Sequence, residues 1–112
     1  MKIKISYNIK MLLDPRYIRS SIYLLTNNFN PEQKYIGSSI EPLNVRYSKH
    51  KYDCKNYKNK VCIYKDTEDF ASEWSISLYE KYPCNNKKEL EAREYELIQE
   101  LNTVNKKRRQ RS

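Results

Sequence analysis

The stretch "SIYLLTNNFNPEQKYIGSS", residues 21–39, decides the fold. It holds two runs rich in strand-forming residues, "SIYLLT" at 21–26 and "KYIGS" at 34–38. Between them lies "NNFNPEQ", whose Asn and Pro residues favour a turn. The pattern predicts an antiparallel hairpin. A turn symmetric about Phe29 places Tyr23 directly opposite Tyr35, and period-two alternation puts both phenols on one face. Gly37, in the second run, is the only glycine in 112 residues, which asks why a chain that builds its turns from Asn, Pro, Asp and Ser keeps one here.

The flanks extend the hairpin into a small α+β domain, a three-stranded antiparallel sheet flanked by helices. Pro42 followed by "LNVRYSKHK" predicts a short helix, with Arg46 and His50 four residues apart on one side of it. Residues 51–72 are rich in Lys, Tyr and Asn with weak periodicity, and predict a loop with about one helical turn. "EWSISLYE" at 73–80 alternates cleanly as a half-buried third strand, with Trp74, Ile76 and Leu78 to one side. "NKKELEAREYELIQEL" at 86–101 reads as a helix capped by Asn86, with Glu89 completing a capping-box-like pair. Its apolar stripe runs through Leu90, Leu97, Ile98 and Leu101, and Glu94 interrupts it. A carboxylate on a packed face asks for a purpose.

Composition narrows the functional classes. The net charge of +8 favours a polyanionic partner, and eleven tyrosines among the lysines suit contact with nucleotides. No window resembles a secretory or membrane-spanning segment, so an intracellular protein with no membrane partner is expected. Three cysteines, Cys54, Cys62 and Cys84, read as free thiols. With His50 they lack the short Cys-x2-Cys pair of a structural zinc site. Residues 1–20, with alternating "KIKIS" and the turn signal Asp14-Pro15, read as an N-terminal extension to a domain spanning 21–105. The tail at 106–112 carries Lys106, Lys107, Arg108, Arg109 and Arg111. It suits sequence-independent phosphate contacts or a nuclear-import signal.

Taken in order, "SIY" at 21–23, "YIG" at 35–37, Arg46 and His50 in "VRYSKH", and Glu94 and Asn105 in "LEAREYELIQELNTVN" resemble the GIY-YIG endonuclease family over about residues 20–106. One position departs: Ser21 stands where the family's first motif has glycine. The resemblance implies hydrolysis of a nucleic-acid phosphodiester, most naturally DNA, with one divalent cation, Mg²⁺ or Mn²⁺. It assigns metal binding to Glu94, phosphate stabilisation to Arg46, and the general base to Tyr23. Tyr35 would contact the phosphate or orient water, and His50 would support the site or accept a proton. Gly37 and Asn105 would be structural, with Gly37 letting the backbone turn and the nucleic acid come close. A phenol near pKa 10 is only about 0.1% ionised at pH 7, so Tyr23 needs help from a cation, with Lys34 and His50 as neighbours in sequence. A domain this small leaves specificity to substrate shape or to a partner protein. Two other classes fit less well: a nucleic-acid-binding module on the same scaffold that no longer cuts, and an adaptor whose basic surface meets an acidic protein.

Overall fold

The structure, a computed structural model, describes residues 13–105. A 3-10 turn, Pro15–Arg19, capped by the Asp14 carboxylate, leads into strand β1, Ser21–Asn27. Strand β2, Lys34–Ser39, helix α1, Leu43–Asn56, the single-turn helix α2, Phe70–Glu73, strand β3, Trp74–Lys81, and helix α3, Lys87–Glu100, follow. The sheet is antiparallel with β1 central, in the order β2-β1-β3. Among the described residues no helix is long and apolar enough to cross a membrane.

The hairpin forms with a register two residues away from the symmetric one. Tyr23 pairs with Gly37, and Leu25 pairs with Tyr35. The Asn27 side chain explains the shift: its Oδ1 accepts from the backbone N–H of Phe29 and of Asn30. This local turn closes the loop on an Asn27–Gln33 backbone bond and centres it on Asn30. A two-residue shift preserves parity, so Tyr23 and Tyr35 still share a face.

Period-two alternation then divides the molecule into two dry layers on either side of the sheet. One face carries Tyr23, Leu25 and Trp74, and packs on Cys54 of α1, Ile63 and Tyr64 of the following loop, and Phe70 of α2. The other carries Ile22 and Ile36 against Leu90, Leu97 and Ile98 of α3, with Tyr17 from the 3-10 turn. The α3 cap pairs Asn86 with Glu89. Asn86 accepts from Glu89 N–H, and the Glu89 carboxylate reaches back to Asn85 N–H. Strand β3 lies on the sheet edge, which is why Leu78, on its apolar side, remains 48% exposed.

The segment 57–69 is more organised than its weak periodicity suggests. The Lys58 ammonium donates to the Thr67 and Tyr64 carbonyls, and the Thr67 hydroxyl donates to the Ile63 carbonyl while accepting from the Trp74 indole. These bonds close the loop on itself and bury Ile63 and Tyr64 under α1.

Candidate active site

Gly37 has an extended backbone, since no residue among those described has positive φ. Its missing side chain therefore serves no turn. A Cβ there would sit inside the van der Waals envelope of the Tyr23 Cζ and Oη directly across the hairpin, with Cε1 at 2.8 Å. The single glycine makes room for the phenol of Tyr23, which lies flat over the neighbouring strand.

That phenol is fixed from α1. The Tyr23 hydroxyl and Nε2 of His50 are 2.7 Å apart, and Nδ1 of His50 is 2.7 Å from the Tyr64 hydroxyl. His50 has no solvent exposure, and Tyr64 has none either. The imidazole is enclosed by aromatic rings: Phe70 stacks on it at 5.3 Å, while Tyr23, Tyr35 and Tyr64 meet it edge-on. One helical turn earlier on α1, the Arg46 guanidinium lies over the Tyr23 ring at 6.0 Å. Thus Tyr23, Tyr35, Arg46 and His50 converge. Lys34 does not join them; its ammonium is bound to the Pro31 carbonyl in the hairpin loop.

Glu94 approaches from the opposite layer. It is half-buried on α3 and its Oε1 accepts from the Ser38 hydroxyl at 2.6 Å. Ser38 shares the α3-side face with Ile36, so the carboxylate stands at the β2 edge rather than over the Tyr23 face. A cleft of about 360 Å³ crosses this edge and is lined by Arg46 and Glu94 together, with Ser38, Lys49, Lys60 and Lys87 around them. Tyr23 and Tyr35 do not line it, and Tyr23 is only 1% exposed. Arg46 belongs both to the cleft and to the phenol beneath it. A second groove of about 450 Å³, between Ile18, Pro42 and Leu78, faces none of these residues.

Burial dominates the proton affinities. It pushes the Tyr23 phenol up to about 12; Arg46 opposes the rise through its charge and as a hydrogen-bond donor, and the Glu94 charge adds to it. The Tyr35 phenol is raised further, by burial first and then by the Tyr23 and Glu94 charges. Burial and the Arg46 charge lower His50 to about 3, with Asp53 opposing. His50 is therefore neutral at any working pH. The phenol is raised and the imidazole lowered, so complete proton transfer from Tyr23 to His50 is strongly uphill. The imidazole acts as a hydrogen-bonding partner, not as the final proton acceptor.

Asn105 closes the edge of the sheet. Its Oδ1 accepts from Ile36 N–H at 3.2 Å and its Nδ2 donates to the Ile36 carbonyl at 2.7 Å. A side chain thereby does what another strand would do for β2. The basic residues Lys106, Lys107, Arg108, Arg109 and Arg111 lie outside the described residues. Tyr64 was not selected from sequence; its only signal is the apolar island "VCIY" at 61–64 within a polar loop.

For a divalent cation, the donor chemistry is permissive rather than caging. Among the described residues no three His, Cys, Asp or Glu side chains converge. Magnesium takes one or two carboxylates and completes its shell with water and phosphate oxygens. A carboxylate at the wall of a cleft that also holds an arginine fits that habit.

Searches among curated proteins and among solved structures found no match. The sequence pattern of the GIY-YIG catalytic domain matches residues 19–109, most of the chain. With the three-stranded antiparallel sheet, the paired tyrosines on one face and the glutamate helix behind it, the chain belongs to the GIY-YIG catalytic-domain family, a family of nucleases.

Proposed function

We propose that the protein is a metal-dependent endonuclease acting on DNA. The observation that carries this reading is the shared position of Arg46 and Glu94 on one cleft, with the Arg46 guanidinium also over the Tyr23 phenol. Arg46 presents a planar fork to phosphate oxygens, and Lys49, Lys60 and Lys87 at the cleft offer further phosphate contacts. Arg46 can meet a phosphate from the cleft while its charge stays beside the phenol below it and favours the phenolate. Tyr23, once its own proton has left to solvent, takes a proton from the attacking water as the phenolate, and Tyr35 orders the phosphate or the water. Glu94 would hold the cation, Mg²⁺ or Mn²⁺. Bound there, it would neutralise charge on the phosphate and offset the Glu94 charge that holds both phenols up.

The basic residues at 106–111 add sequence-independent grip, and specificity comes from substrate shape or from a partner protein. A binding module that no longer cuts is favoured by one observation, the near-complete burial of Tyr23.

The deciding experiment incubates the protein with plasmid and branched DNA in Mg²⁺, in Mn²⁺ and in chelator. Metal-dependent nicking is expected. Glu94→Gln should reduce it on the order of 10²- to 10³-fold while DNA retention persists. Retention without nicking on every substrate would establish the binding module, and full activity in Glu94→Gln would remove Glu94 from the metal site.

A further inference from the structure

Two phenol oxygens flank His50, each 2.7 Å from a different ring nitrogen. A neutral imidazole has one proton to place between them, so the hydrogen bonds run in one direction or the other. Tyr64 decides which. Its ring is fully buried and edge-on to Phe70. Among the described residues, its hydroxyl meets a single hydrogen-bond partner, Nδ1 of His50. A phenol that only accepted there would leave its O–H directed into carbon. One that donates leaves only a lone pair unused, the lesser loss. The Tyr23 end gives the same answer. The Arg46 guanidinium, a group that can donate but never accept, lies over the Tyr23 ring at 6.0 Å, and its charge favours negative charge on the Tyr23 oxygen.

We propose that Tyr64 is a positioning residue: it donates to Nδ1 of His50, and so aims the Nε2–H of a neutral imidazole, alongside the Arg46 guanidinium, at the Tyr23 oxygen. Two donors then converge on the atom that must carry negative charge as the base forms. The consequence for catalysis rests on the nuclease reading above; the direction of the bonds does not. In that reaction the Tyr23 proton leaves to solvent, and the phenolate takes one proton from the attacking water. The water oxygen bonds to phosphorus as the ester P–O bond breaks, and the departing oxygen takes a proton from solvent. His50 keeps its single proton throughout. The charged and titratable groups around the Tyr23 oxygen are Arg46 and His50 from α1, Tyr35 from β2, Tyr64 from the loop and Glu94 from α3.

His50 is the only histidine in the chain, so a ¹⁵N spectrum of the imidazole region contains one ring. At neutral pH it should show Nε2 protonated and Nδ1 bare. A proton on Nδ1, or on both nitrogens, overturns the proposal. Tyr64→Phe should lower kcat about tenfold with KM held within about twofold, the size of one lost hydrogen bond. An unchanged kcat removes Tyr64 from the mechanism. Should Tyr64→Phe fail to fold, two changes at His50 decide. A glutamine can accept from Tyr64 and donate to Tyr23 but cannot titrate. His50→Gln should stay within about tenfold of the wild type, and His50→Ala should fall about 10²-fold or more. Equal losses in the two variants overturn the donor role. If the wild type cuts no DNA, the nuclease reading fails, and the imidazole spectrum alone settles the bond direction.

Discussion

The two faces of the sheet bury comparable side chains for different ends. On the α3 side the aliphatic side chains of Ile22, Ile36, Leu90, Leu97 and Ile98 meet carbon to carbon, with the Tyr17 ring packed among them. On the α1 side the buried set includes Tyr23, Tyr64 and His50, whose polar atoms are linked in a line through the imidazole. A buried polar network costs free energy unless every member is paired, and aliphatic packing carries no such condition. The difference teaches that this small domain concentrates stability on one side of β1 and chemistry on the other. Glu94 and Arg46 meet at the β2 edge between them.

The largest test of this division is a pair of substitutions, one on each face. Leu97→Ala, at a position 1% exposed, should cost about 2–5 kcal/mol of stability by urea denaturation. Activity per folded molecule should be preserved. Tyr23→Phe should do the reverse. Its stability cost is about 1–3 kcal/mol, from the bond it breaks with His50, while cleavage falls on the order of 10²- to 10⁴-fold. If both variants lose stability and specific activity in proportion, the two faces are one cooperative unit with no division of labour.

Which parts of this arrangement were visible in the sequence follows from the range of the interactions that make them. The hairpin, β3 and α3 rest on alternation, Asn caps and a 3.6-residue stripe, all local signals. The α-carbon register was not visible, because the two Asn27 side-chain bonds that recentre the loop are invisible to a symmetric reading of turn length. The convergence of Tyr23, Arg46 and His50 was legible through the family resemblance, since Arg46 and His50 sit four apart on a helix and Tyr23 closes the motif "SIY" at 21–23. The purpose of Gly37 was not: only the pairing across the hairpin shows that it faces a ring rather than a turn. Tyr64 escaped because its partner lies fourteen residues away and its loop is closed by lysine and threonine bonds to backbone carbonyls, which leave no periodicity.

A second, smaller test acts inside the α1 face alone. Gly37→Ala introduces a methyl group against the Tyr23 ring, which cannot swing aside without lengthening the bond to His50. Either the strands separate or the phenol moves. Overpacking of this kind costs about 1–3 kcal/mol. Cleavage should fall by more than the loss of folded protein explains, because the displaced atom is the proposed base. Normal activity in a fully folded Gly37→Ala protein would show that the position of the phenol is not critical, and would weaken the case for Tyr23 on the chemical face.

The smallest expected effect is a pH dependence that belongs to one face only. His50 is held near 3 in the folded protein by burial and by the Arg46 and Lys60 charges, against an ordinary value of 6.5. Between those two values the unfolded chain binds the proton and the folded chain does not. The contribution of His50 to stability is therefore complete above pH 6.5 and is lost as the pH falls towards 3. The groups facing the imidazole are Tyr23 and Tyr35 from the sheet, Arg46 and Asp53 from α1, and Lys60 and Tyr64 from the loop. Over the two units from pH 6.5 to 4.5 the loss is at most about 3 kcal/mol. Urea midpoints of the wild type and of His50→Gln at pH 7.5 and 4.5 isolate this term, because carboxylates elsewhere titrate alike in both proteins. The wild type should lose more stability on acidification than the glutamine variant. Parallel losses would mean that the imidazole is protonated in the fold at pH 4.5, and that the chemical face is wetter than its packing implies.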